Sequence, residues 1–389
     1  MRVLQIIPSL APSHGGPTFV AMNLSKALAD RGHQVHLLTT DRAGMPDVGW
    51  LDNVDVRISK EVFAPYSYSP DLSKNLQELV PQADLVHIHG LYLYPTVQAA
   101  RIARRHDVPY IIRPAGALDP YHLGRKVLKK AIFDYFVHND VLRNATAFHF
   151  TTGIEKDISL PRIFGNESIV VPNGLDVRKI ELLAKPGQFR SRLGGAAAKR
   201  LVLFLGRINY KKGFEILIPA FAEAMRNVPD LHLVIAGNDD GHLPAVRALI
   251  ETHGLVDHVT LPGFLGTNEK FEALADADAF VLPSYSENFA NALFEALACG
   301  TPSIISNKVN SWPEIAAAGA AVVIDTKIED LSAALTTILL DPSRRSSLAS
   351  RAKDFARSNY DWANIAAMLE TSYRAILDRL QSQQPPPTS

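Results

Sequence analysis

Cysteine is nearly missing from this chain: Cys299 is the only one in 389 residues. An internal disulfide is therefore excluded, a reducing, cytoplasmic setting fits, and the apolar helix-like surroundings of Cys299 suit a small core residue better than a nucleophile. An excess of charge is missing too. Lys+Arg and Asp+Glu both number 40, so the overall balance offers no basic surface for nucleic acid. No stretch approaches the roughly 18 uncharged apolar residues of a membrane-spanning helix. The apolar run in Met1–Pro8 is too short for the core of a signal peptide, and it is expected to be a first buried strand.

What is present is a globular composition, 47% hydrophobic and 21% charged, with more residues than one hydrophobic core usually supports. Two domains with a cleft between them are expected. Short β-branched runs alternate with longer helical patterns along the whole chain, the signature of parallel sheets covered by crossover helices. The spacing predicts strands at Val3–Ile7, Gln34–Thr39, Val54–Ile58, Leu85–His89, Tyr110–Arg113, Ala147–Thr151 and Ile169–Val171 in a first domain, 1–176. A second series, at Leu201–Leu205, Leu233–Ala236, Val259–Leu261, Phe280–Leu282, Ser303–Ile305 and Val322–Ile324, defines a domain over 177–361. The stretch 172–199 reads as a linker or the domain junction. A last helix, 362–380, carries Ile365, Leu369, Tyr373, Ile376 and Leu380 on one face and is expected to pack back on the first domain. The proline-rich tail 381–389 is expected to be disordered.

Ligands of open parallel sheets sit beyond the carboxyl ends of the strands, so the loops there carry the functional candidates. His14-Gly15-Gly16-Pro17 follows the first strand and opens a helix; paired glycines let a backbone approach a ligand, although the spacing is not that of a dinucleotide fingerprint. Gly206-Arg207-Ile208-Asn209-Tyr210-Lys211-Lys212-Gly213 follows the first strand of the second domain, where Arg207 and Lys212 suit a diphosphate. The third loop runs from Pro283 through Ser286-Glu287-Asn288-Phe289-Ala290-Asn291 into a helix bearing Glu295. Free N–H groups near Asn288–Asn291 would favour phosphate, and a carboxylate further along would accept ribose hydroxyls. Ser284-x-x-Glu287 also matches a capping box, a purely structural alternative.

Together with Gly32-His33-Gln34-Val35 and Val86-His87-Ile88-His89-Gly90, these segments resemble the retaining GT-B glycosyltransferases of family four over nearly the whole chain. The resemblance implies two Rossmann-like domains, a donor site on the second and an acceptor site on the first, and no metal or other cofactor. It implies that Glu287 contacts the donor sugar, Glu295 the ribose, Arg207 and Lys212 the diphosphate, and Gly15 and Gly16 the donor phosphates. The implied partners are a nucleotide-sugar donor, UDP-sugar preferred over GDP-sugar, and a saccharide or lipid-linked acceptor. Asp276-Ala277-Asp278 looks like a metal motif of another glycosyltransferase fold, but it precedes a strand and reads as a helix-end turn. The family's histidine after the Tyr110–Arg113 strand is replaced here by Ala115. His14, His89, Arg113, Asp119 and His122 are the candidates to contact sugar or acceptor instead. His87 and His89 are expected to face opposite sides of their strand, with His89 the one nearer the ligand edge.

Between Arg101 and Lys130 stand eight Arg or Lys against Asp107 and Asp119. Arg125, Lys126, Lys129 and Lys130 would suit peripheral contact with an anionic membrane at its inner face, or simply a solvated helix face. A dinucleotide-dependent oxidoreductase, a nucleotide-sugar epimerase and a silent nucleotide-sugar-binding protein are the rival readings.

Overall fold

The computed structural model describes residues 1–11, 15–44, 47–119 and 139–383. His14, His122 and the basic stretch Arg125–Lys130 lie outside them. The chain divides into two compact units, Met1–Gly174 with Trp362–Ser389, and Leu175–Asp361.

The first unit is built on β1 (Arg2–Ser9), β2 (Gln34–Thr40), β3 (Val54–Ser59), β4 (Leu85–His89), β5 (Tyr110–Arg113), β6 (Ala147–Phe150) and β7 (Glu167–Val170), in the sheet order β3-β2-β1-β4-β5-β6-β7. All of its strand pairs are parallel. Central β4 and β5 are buried along their whole length, whereas edge strand β3 alternates Asp55 and Arg57 with Val54 and Val56. Strands covered on both faces need continuous apolar sequence, and edge strands do not. The helix Gly16–Asp30 starts at Gly15, whose φ of 69° suits glycine, and Pro17 follows inside its first turn. The helix Trp362–Gln383 buries Ile365, Ala366, Leu369, Tyr373 and Ile376. That stripe joins Val3, Ile7, Val35 and Leu37 in one core, so the chain's last helix completes the first unit.

The second unit holds β8 (Arg200–Leu205), β9 (Leu231–Ala236), β10 (Val259–Gly263), β11 (Ala279–Leu282), β12 (Ser303–Ser306) and β13 (Val322–Ile324), ordered β10-β9-β8-β11-β12-β13 and again parallel. The stretch 172–199 is not a bare linker. It contains the helix Val177–Leu183, whose N-terminus is capped by Asp176 accepting from the Lys179 N–H at 3.0 Å, and whose Ile180 enters the second core. Asp276 and Asp278 serve structure at the amino edge of the second sheet: Asp276 accepts from the Arg190 N–H at 2.8 Å, and Asp278 from the Leu201 N–H at 2.9 Å and the Arg190 guanidinium at 2.6 Å.

Candidate active site

In each sheet the strand order reverses beside the first strand, between β1 and β4 and between β8 and β11. Such switch points splay the outgoing loops apart and open a crevice at the carboxyl ends. In the second unit, the loop after β8 and the loop after β11 meet there. The Tyr285 N–H donates to the Lys211 carbonyl at 2.7 Å, tying the two together. Gly213, at φ +70°, lies so close to the second loop that a Cβ would stand 2.1 Å from the Pro283 carbonyl oxygen. Only glycine fits both the backbone angle and the space.

This close approach brings Lys212 onto Glu287. The ammonium is paired with Oε1 of the carboxylate, and the two side chains are only 16% and 14% exposed. The Ser284 hydroxyl donates to the same oxygen at 3.2 Å. The Glu287 backbone is held in turn by its N–H on the Lys308 carbonyl at 3.0 Å and its carbonyl on the Asn310 N–H at 2.9 Å. The capping-box alternative is not realised: the helix begins at Asn291, four residues beyond Glu287, with Ala290 as its N-cap. Ala290 adopts φ 61°, a left-handed conformation rare for a residue with a Cβ. The helix start has neither a side-chain cap nor an acidic residue in its first turn, so the positive end of the helix dipole there favours an anion. Phe289 anchors the approach from below, 5% exposed and stacked on Phe294 with ring centroids 4.2 Å apart. Asn288 and Asn291 flank it in sequence.

Glu295 projects one turn further along that helix. Its Oε1 is paired with Lys270 at 2.6 Å, a cation that no motif in the sequence announces, because it comes from the neighbouring helix Thr267–Asp276. Arg207 is 72% exposed and rests on Asp240 at 2.9 Å, the same carboxylate oxygen that accepts from the Asn209 amide at 3.0 Å. Cys299 ends the helix Asn291–Cys299, where burial, then the Glu295 charge, pushes its thiol up to about 12, away from the thiolate a nucleophile needs.

In the first unit Gly15 and Gly16 stand at the switch point beside β1 and β4. His87 and His89 do not face opposite sides. Residues two apart on a strand share a face, and the rings stand 4.6 Å apart, both buried. They belong to a buried polar chain. The Val171 carbonyl accepts from His149 Nε2 at 2.7 Å, which makes His149 Nδ1 the acceptor from His87 Nε2 at 3.2 Å and leaves His87 Nδ1 to accept from the Tyr373 hydroxyl at 2.6 Å. His89 Nε2 bonds the Gln5 side chain at 2.6 Å. Arg113 is buried alongside, donating to the Asn173 side chain, and burial lowers its pKa to about 10. Ala115, where the family's histidine would stand, has φ 51°. It is followed by Gly116, whose N–H donates to the buried Glu155 carboxylate at 2.7 Å. Asp119 is partly exposed, at the end of this turn.

Two parallel-sheet units with carboxyl-edge loops of this kind define the GT-B class, and comparison with known proteins agrees. Residues 15–174 match the family model described as "Glycosyl transferase 4-like domain", and residues 188–355 the one described as "Glycosyl transferases group 1". The chain thus has the GT-B fold, with a glycosyltransferase domain family matched in each unit. It is similar to a D-inositol 3-phosphate glycosyltransferase of Kineococcus radiotolerans, 30% identical over 54% of this chain and 52% of that protein, so that it spans about half the length of this curated relative. A phosphatidyl-myo-inositol mannosyltransferase of Mycolicibacterium smegmatis is 24% identical over 97% of this chain and 94% of the other. Among solved structures, Anabaena HepE in complex with UDP and glucose superposes with a TM-score of 0.77, 19% identity, and coverage of 96% of this chain and 100% of that one. No helix among the described residues is long and apolar enough to cross a membrane.

Proposed function

We propose that this protein transfers a hexose from a nucleotide-diphosphate sugar to a saccharide or lipid-linked acceptor, with retention of configuration and without a bound metal. The observation that carries this reading is the Lys212–Glu287 pair at the switch point of the second sheet, on the loop that leads into the helix bearing the Glu295–Lys270 pair. An ammonium has three donors, so Lys212 can keep Glu287 on one and offer the others to a diphosphate. Arg207, exposed on the same loop, adds a second cation, and the helix start at Asn291 adds N–H groups. Charge building on the departing nucleoside diphosphate is stabilised by these groups, fixed in place before the reaction. Glu295, with Oε1 on Lys270, has Oε2 to accept ribose hydroxyls, and Glu287 orients the donor sugar. Because Glu287 is engaged with Lys212, front-face attack assisted by the leaving phosphate is preferred to a covalent glycosyl-enzyme; a trapped sugar adduct would overturn that step.

UDP is the preferred base, supported by the HepE complex with UDP. A guanosine donor is the second reading, favoured by the mannosyltransferase among the relatives. A thermal-shift screen with UDP, GDP, ADP and their sugar conjugates, without metal and then with magnesium, tests the site, since a ligand of the folded state raises its melting temperature. A metal-independent shift by one nucleotide family, lost in Glu295→Ala and Arg207→Ala, is expected. No shift with any nucleotide would remove the functional claim.

A further inference from the structure

The first unit carries an aromatic feature that the donor site does not use. Beyond β3 the chain forms a short hairpin in which the Val62 N–H donates to the Tyr68 carbonyl at 2.9 Å and the Tyr68 N–H to the Phe63 carbonyl at 3.1 Å. Arg42 clamps its turn, donating to the Ala64 carbonyl and the Ser67 hydroxyl, both at 2.6 Å. Val62 and Phe63 are 58% and 57% exposed and contribute to no core of the unit, and Tyr68 is 40% exposed. Behind them stands Tyr94, at the end of the loop after β4 where the helix Tyr94–Arg105 begins, with its ring edge-on to Tyr68 at 4.8 Å and to Tyr66 at 5.9 Å. Its hydroxyl is fixed by Ser73 at 2.5 Å. Both loops leave the carboxyl edge of the first sheet, the edge that also carries Gly15 and Gly16.

Exposed large apolar side chains gathered in one patch mark a binding surface where scattered ones do not, and the chemistry around these narrows the occupant. The stretch 41–74 that carries the hairpin holds four Lys or Arg against six Asp or Glu, which is not the cluster of basic residues that anionic headgroups require. Aromatic faces rimmed by tyrosine and serine hydroxyls match a pyranose, which has one face of C–H bonds and an edge of hydroxyls. The Arg42 clamp holds the turn of the hairpin and Ser73 holds the Tyr94 ring before binding, which lowers the entropy cost of capturing a weakly held ligand. We infer that Phe63, Tyr66, Tyr68 and Tyr94 form a stacking platform for a sugar ring of a saccharide acceptor. This rests on the transferase reading and specifies its acceptor side.

The test is binding of maltotriose, cellotriose and α-mannotriose to the full chain by saturation-transfer NMR and calorimetry, beside sedimentation with phosphatidylcholine–phosphatidylglycerol vesicles. UDP thermal shift is measured on every sample. At least one trisaccharide binds wild type; Tyr68→Ala and Phe63→Ser weaken it by about tenfold or more, as truncating a stacking anchor does, and Tyr68→Phe restores it. The UDP shift is unchanged throughout. No trisaccharide binding, affinities indifferent to these variants, or vesicle binding that the variants abolish would each overturn the platform while the UDP shift persists. Absence of the UDP shift in wild type would instead strike the transferase reading.

Discussion

Breaking the Lys212–Glu287 pair should loosen the two loops that build the donor site. The side chains are 16% and 14% exposed, between a surface pair, worth up to about 1 kcal/mol, and a fully buried one, whose disruption costs about 3–5 kcal/mol. Lys212→Met leaves the Glu287 carboxylate with only the Ser284 hydroxyl on that oxygen, so a local cost of about 2 kcal/mol is expected. Two units need not unfold together, which makes global melting a poor probe. Hydrogen exchange of the Tyr285 and Glu287 amides reports the loops directly, because these N–H groups are bonded to the Lys211 and Lys308 carbonyls. Exchange should quicken about thirtyfold in Lys212→Met, the equivalent of about 2 kcal/mol. In the double variant with Glu287→Gln the loss should be smaller than the sum of the single losses, since no unpaired charge remains. Additive losses, or protection unchanged by Lys212→Met, would refute the coupling.

Gly213→Ala places a methyl against the Pro283 carbonyl; the left-handed backbone alone costs about 1–2 kcal/mol, so melting temperature and nucleotide-induced shift should both fall, and a wild-type shift would contradict the close approach. Lys270→Met frees Glu295 from its partner and should weaken UDP by about tenfold while affecting 2′-deoxy-UDP less, as expected for a charge-assisted contact to ribose; equal losses on both nucleotides would argue for a purely structural pair. Burial holds His87 and His89 well below their ordinary value and His149 at about 3. The unfolded chain takes up their protons below about pH 6.5 and the folded chain does not, so stability is present above that pH and falls with acidification, by up to about 1.4 kcal/mol per pH unit for each histidine. A melting temperature flat from pH 7 to 5 would contradict it.

Most strands were legible because parallel sheets covered on both faces demand short, continuous apolar runs: Leu85–His89, Tyr110–Arg113 and Val322–Ile324 fall where the sequence places them. The start of β7 at Glu167 was not, since an edge strand tolerates polar residues. The helix Val177–Leu183 was hidden by its small-residue surroundings, although Val177, Ile180 and Leu183 recur at helical spacing and Asp176 is a ready cap. Pairing across elements was beyond reach. Nothing near Glu295 in sequence points to Lys270, and nothing near Arg207 points to Asp240; those contacts exist because separate crossovers return to one sheet edge. The two-residue period of a strand does put His87 and His89 on one face, against the expectation of opposite sides, whereas the network joining them to Tyr373 depends on where the last helix packs.

The most direct measurement of the central claim is product analysis by NMR after incubating the protein, without added metal, with UDP-glucose or GDP-mannose and an oligosaccharide acceptor. Release of nucleoside diphosphate matched by a new glycosidic anomer of the donor's own configuration, abolished in Lys212→Met, is the predicted result. Donor left intact with every acceptor, or a product of inverted configuration, would contradict it.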